Sequence, residues 1–194
     1  IRDDAFRRCY SLTSVTIPEG VASIGAQAFE SCESLTSVTF PQSVTSIGFA
    51  FMRGCKSLTS ATFQEGITTI PRYAFSGCTS LTGFTIPESV TTIAAEAFSD
   101  CTSLKSISVP VSVTSIGENA FKSCTSLTSL TFFGSTHVGK SVFSGCTSLR
   151  NVTILDGEPS TGSIGSSAFS GCSNLRSIAV SYTHLRAHET LRHL

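Results

Sequence analysis

Cysteine returns through this chain at a nearly fixed interval, and that interval leaves little choice of fold. The cysteines are Cys9, Cys32, Cys55, Cys78, Cys101, Cys124, Cys146 and Cys172, so the successive intervals are 23, 23, 23, 23, 23, 22 and 26. A Leu stands three residues after every one, from Leu12 to Leu175, and a Phe three before, from Phe6 to Phe169, with Met52 the single exception. Fifteen residues after the first five cysteines comes Ile24, Ile47, Ile70, Ile93 or Ile116, and Val138 and Ile164 take that role in the two irregular repeats. A unit this short cannot bury its own apolar side, whereas stacked copies can, because equivalent residues then form inward ladders about 4.8 Å apart.

The second copy shows the grammar. In Leu35-Thr-Ser-Val38-Thr-Phe40-Pro41, Val38 and Phe40 alternate with Ser37 and Thr39, the pattern of a short half-buried strand. Pro18, Pro41, Pro87 and Pro110 follow this strand directly and stop the ladder, since proline has no N–H to donate. A second extended piece carries Val44 and Ile47, and Gly25, Gly48 and Gly117 turn the chain after it. Ala28-Phe29 and its equivalents are too short for a full helix and are expected as one turn of 3₁₀ or α. The expected fold is a right-handed parallel β-solenoid of about eight 23-residue coils, with Leu, Val, Ile/Phe, Val, Ile, Phe and Cys inward.

Composition agrees with that surface. Only 13% of the 194 residues are charged, the net charge is zero, and 59 are Ser or Thr, so hydroxyls rather than ions must cover much of the solvent side. Neutrality gives no electrostatic case for a nucleic-acid partner. No stretch approaches the roughly 18 apolar residues of a membrane span.

Leu-x-x-Val-x-Ile-Pro, a later Ile-Gly, then Ala-Phe-x-x-Cys resembles the leucine-rich repeats of the BspA type, also called the Treponema pallidum type. The resemblance covers about residues 1–180. Gly20, Ser43, Gly66, Ser89 and Ser112 stand where ordinary leucine-rich repeats place an Asn, so the usual buried Asn ladder is not expected. The family implies non-enzymatic cell-surface or secreted proteins that bind other proteins, often in adhesion.

Chemistry-bearing motifs are few. The eight cysteines point the same way in parallel copies and favour a column of buried thiols. Coil-to-coil Cα separations also fall within the disulfide range of roughly 4.4–6.8 Å, so disulfides remain open. A line of sulfurs is not a tetrahedron and there is no Cys-x-x-Cys pair, which removes the case for zinc. Gly134-Ser-Thr-His-Val-Gly139-Lys140-Ser141 fits a nucleotide-binding loop in letters, but Val138, Phe143 and Cys146 keep the repeat's schedule and no long helix can follow. His137 is the one His within the repeats and reads as a surface turn residue. No catalytic residue, cofactor or metal is expected.

The outward strand positions form a regular uncharged array. They are Ser14 and Thr16, Ser37 and Thr39, Ser60 and Thr62, Gly83 and Thr85, Ser106 and Ser108, Ser129 and Thr131, Asn151 and Thr153, and Ser177 and Ala179. This is the face that leucine-rich repeat proteins present to partners, here a partner protein of unknown identity. Its lack of Trp, Tyr and Arg argues against a concentrated hot spot, and a periodic target such as ice or a polysaccharide is the alternative. The irregular loop carrying Asp156 and Glu158 is the one sizeable insertion and a candidate contact loop.

The repeat domain is expected over 1–180, cut at its N-terminus because Ile1 already sits at the ladder Ile position. Residues 181–194 share nothing with the repeat; Ser181 to Thr190 resembles translated library-adapter sequence, so this tail is expected to be artefactual or disordered. Open strand edges at both ends would favour edge-to-edge self-association.

Overall fold

The chain forms a parallel β-solenoid, described by a computed structural model for residues 1–155 and 162–181. The tail from 182 onward, Asp156 and Glu158 lie outside the described residues. Two kinds of strand alternate along the chain. The longer ones are β2 (Ser37–Phe40), β4 (Ser60–Phe63), β7 (Ser106–Ser108), β9 (Ser129–Phe133), β11 (Asn151–Leu155) and β13 (Ser177–Ser181). The two-residue ones are β1 (Ser23–Ile24), β3 (Ser46–Ile47), β5 (Thr69–Ile70), β6 (Thr92–Ile93), β8 (Ser115–Ile116), β10 (His137–Val138) and β12 (Ser163–Ile164). Every pairing is parallel and joins equivalent residues of successive coils, Ser37 with Ser60 and Ser106 with Ser129 for example. Where Phe133 and Leu155 replace the strand-ending proline, β9 and β11 run to five residues.

Each ladder is interrupted once in the same region, and proline explains one of the gaps. The N–H groups of Gly25, Gly48, Ala94, Gly117, Gly139 and Gly165 donate to the carbonyl of the ladder residue one coil earlier at 2.7–2.9 Å. Pro71 stands at this position between Gly48 and Ala94 and has no N–H, so Ile47 O lacks its donor and β3 does not pair with β5. One coil on, Gly83–Ile86 occupies the place of a long strand without ladder bonds, separating β4 from β7.

The Ala-Phe-x-x-Cys segment is not the helical turn expected from its length. It is a pair of tandem turns with a left-handed residue five before and one before each Cys. That alternation points three N–H groups per coil at the next: Gln27, Phe29 and Ser31 donate to Phe49, Phe51 and Arg53 carbonyls at 2.7–2.9 Å. A helix would have spent those donors internally. The position before Cys is Gly in four coils and Arg8, Ser31, Asp100 or Ser123 in the others, at φ of 58–61°. A side chain there costs about 1–2 kcal/mol against a glycine entropy cost of about 0.5–1 kcal/mol. Ser123→Gly is therefore expected to raise stability by about 0.5–1 kcal/mol, read as a higher urea midpoint at unchanged slope. A lower midpoint would show that the left-handed geometry carries no strain.

The core is built as columns. Phe98 stacks on Phe121 with ring centroids 5.1 Å apart, and Phe121 on Phe143 at 5.5 Å. The Met52 exception is compensated nearby: Phe51 replaces the small residue beside it and lies 5.3 Å from Phe75 and 5.7 Å from Phe40, while Ala61 supplies a small residue on the strand of the same coil. The cysteines are free thiols, six of them fully buried, and they do more than fill space. Cys32, Cys55, Cys78, Cys101, Cys124, Cys146 and Cys172 each donate S–H to the carbonyl three residues before the preceding Cys, at 3.1–3.3 Å. Desolvation pushes the Cys78 thiol up to about 12 and those of Cys32 and Cys172 to about 11.

Much of the threonine content also serves the stack. Thr36 and Thr59 donate through Oγ1 to the carbonyls of Thr13 and Thr36, Thr91 and Thr114 to those of Thr68 and Thr91, and buried Thr136 to Val113 O at 3.0 Å. These side chains cap carbonyls between coils, a role distinct from the solvent cover that composition implied. Among the described residues no helix is long and apolar enough to cross a membrane.

Candidate binding face

Strand alternation sets which residues this fold offers to solvent. With Val38, Phe40, Ile107, Leu130, Phe132 and Val152 turned into the core, their neighbours must face out. Ser14, Thr16, Ser37, Thr39, Ser60, Thr62, Thr85, Ser106, Ser108, Ser129 and Asn151 are exposed, and Thr131 and Thr153 are half-buried on the same face. Parallel register aligns them in two rows: Ser106, Ser129 and Asn151 in one and Ser108, Thr131 and Thr153 in the other, with Ser37–Ser60 and Thr39–Thr62 paired in the earlier coils. Ser177 donates to Asn151 Oδ1 at 2.9 Å; among the described residues, the hydroxyls at the other face positions donate to no neighbouring coil. The structure thus separates two populations of hydroxyl that the sequence lists together, those committed to the stack and those left on the face.

The face is not a uniform plane. A depression of about 540 Å³ lies over the gap in the long-strand ladder, bounded by Ser60, Thr62, Gly83, Thr85, Ser106 and Ser108, with Ala61, Phe84, Ile86 and Pro110 beneath and Glu88 at its rim. A second, of about 350 Å³, lies over Ser14, Thr16, Ser37 and Thr39, with Glu19 and Gln64 at its edge. Sequence reasoning missed Glu19 and Glu88 as members of the face. The signal was present, because both follow a strand-ending proline, Pro18 and Pro87.

Charge divides along the face as well. The strand segments 13–20, 36–43, 59–66 and 82–89 carry Glu19, Glu65 and Glu88 and no Lys or Arg. Of the four later segments three open with a cation, Lys105, Arg150 or Arg176, and one with Thr128. A chain of zero net charge therefore carries carboxylates and no Lys or Arg in its first four strand segments.

The remaining motifs are absorbed by the fold. Gly139 N donates to Ile116 O and His137 N to Thr114 O, both at 2.8 Å, so amides that a phosphate-binding loop would need are engaged in the ladder. His137 is exposed on β10 with Nδ1 3.2 Å from Ser163 Oγ, and among the described residues no carboxylate bonds the ring. On the tandem-turn side, Arg53 and Arg72 lie 5.2 and 4.7 Å from the Tyr73 ring centroid, and Arg72 pairs with Glu96 at 3.4 Å.

Comparison with known proteins agrees with this architecture. The profile of the BspA type leucine rich repeat region matches residues 1–127 and 68–188 in six copies. The Treponema pallidum leucine-rich repeat protein superposes with a TM-score of 0.73 at 30% identity, over 84% of this chain and 77% of its own. A leucine-rich cell surface protein of Faecalibacterium prausnitzii is 44% identical over 60% of this chain, with a TM-score of 0.59. A leucine-rich repeat protein of Bacteroides ovatus is 26% identical over 90%, with a TM-score of 0.67. The matched parts span 31% and 56% of those last two proteins. No curated protein matches the chain. With repeat, coil geometry and profile in agreement over nearly its whole length, the chain belongs to the BspA-type leucine-rich repeat family.

Proposed function

We propose that the chain is a non-enzymatic protein-interaction and adhesion module, one stretch of a larger surface or secreted protein, which holds a partner protein against its long-strand face. The observation that carries this reading is the face itself: two rows of exposed hydroxyls, uncommitted to the stack, on a scaffold held by three ladders per coil. The family supports it, as does the cell-surface description of the Faecalibacterium prausnitzii protein. The alternative of ice or polysaccharide binding needs a flat periodic array, and the depressions at Gly83 and Ser14 interrupt one, which favours the protein partner.

A displayed library of extracellular protein domains, sorted on the immobilised chain, tests the proposal. Thr39→Arg combined with Ser108→Arg is expected to lower retention of the selected domains at least about tenfold, equivalent to about 1.4 kcal/mol. Lys122→Glu on the turn side is expected to leave retention unchanged. Equal retention by the double variant would remove the face from the function.

A further inference from the structure

We propose that the acidic half of the strand face receives an extended basic segment of a partner protein, with one cationic side chain seated in each of its two depressions. This deepens the reading above and rests on it. Each depression joins an apolar floor to a carboxylate rim: Phe84 and Ala61 beneath and Glu88 at the edge of the larger one, Val38 and Ile17 beneath and Glu19 at the edge of the smaller. That pairing fits Lys or Arg, whose hydrocarbon stem covers apolar surface while its charged end reaches a carboxylate. Gly83 deepens the larger site, since it alone of the aligned strand positions carries no side chain and nothing lies within 4 Å of where a Cβ would stand.

The charges around these sites point the same way. Among the described residues the Glu19 and Glu88 carboxylates form no ion pair. Glu65 is already engaged, accepting from the N–H groups of Glu88 and Ser89 at 3.3 and 3.1 Å, and it adds negative charge beside Glu88. The nearest strand cation, Lys105, adjoins Ser106 at the opposite end of the larger depression, at most about 20 Å from this rim at the usual rise per residue.

Register fixes the spacing of the ligand. Glu19 and Glu88 occupy one position of the repeat, three coils apart. Three coil spacings are about 14 Å, the span of about four residues of extended chain. The ligand is therefore a segment with basic residues at positions i and i+4.

The test is a titration of the full chain, followed by amide NMR shifts at low salt, with the blocked peptide acetyl-Arg-Ser-Gly-Ser-Arg-amide. Saturable shifts are expected at Gly83, Thr85 and Thr16, with at least about tenfold weaker binding to the Glu19→Gln/Glu88→Gln variant, and similar weakening when the arginines are moved to i and i+2. Both Glu positions are exposed, so the variant should keep its fold. Unchanged binding to the variant, shifts centred on the turn side, or no saturation would overturn the proposal. Cellotetraose shifting these amides where the peptide does not would assign the depressions to a glycan instead. Failure here is separable from failure of the face itself, because retention by Thr39→Arg/Ser108→Arg is read without the peptide.

Discussion

Phe121→Ala is expected to cost about 4 kcal/mol, near the middle of the range for deleting a buried aromatic ring. Phe121 is fully buried and stacks on Phe98 and Phe143 at 5.1 and 5.5 Å, so its loss removes two ring contacts as well as leaving a cavity. In a stack where each coil touches only its neighbours, a central defect also weakens the coupling between the two sides. Urea unfolding of the variant should therefore broaden or split into two transitions, while Phe121→Leu, which keeps most of the volume, should lose less than half as much and stay single. A loss well below the range for such truncations, with one sharp transition, would mean that the ring column does not couple the coils, leaving that role to the backbone ladders.

Alkali is expected to unfold this protein well before it would unfold one without buried thiols. The Cys78 thiol is held at about 12 and those of Cys32 and Cys172 at about 11, desolvation being the largest cause, and burial raises Cys55 and Cys101 too. In the unfolded chain these groups return to about 8.5. Above that pH the unfolded state has released thiol protons that the folded state still holds. It then binds fewer protons, and the stability of the fold declines with rising pH. The contribution is complete below about pH 8 and disappears as pH climbs through the folded-state values, at about 1.4 kcal/mol per pH unit for each thiol within the window. Several thiols act together, so the urea midpoint should drop steeply between about pH 8.5 and 10. Cys78→Ser retains a donor for Met52 O but loses the titration, and should reduce that slope by one proton while lowering stability at neutral pH. A midpoint that stays flat across the same alkaline range would contradict the buried thiol column.

How far the sequence could be read follows from what a repeat encodes. Coil length, the inward positions and the outward rows were all legible, because each depends on residues within one coil and is stated eight times by Cys and Leu and seven by Phe. Deviations were legible only in part. Met52 was legible as the single exception to the Phe rule, but not that Phe51 compensates from the neighbouring position, 5.3 Å from Phe75. The Ala-Phe-x-x-Cys segment looked like a helical turn because its length suits one. Its left-handed residues become worthwhile only because another coil offers three carbonyls to the N–H groups they turn outward.

What the sequence determined alone is therefore the solenoid: a period too short to fold singly, apolar residues at fixed phases, and prolines that close four of the strand segments. Tertiary structure decided the rest, because those outcomes depend on what stands one coil away. Pro71 interrupts a ladder by failing to meet Ile47 O, and Gly83 makes a depression because Ser60 and Ser106 rise on either side. The cysteine thiols become hydrogen-bond donors because a carbonyl of the preceding coil lies 3.1–3.3 Å from each. Glu19 and Glu88, far apart in the chain, share one acidic surface because stacking converts a long stretch of sequence into three short steps.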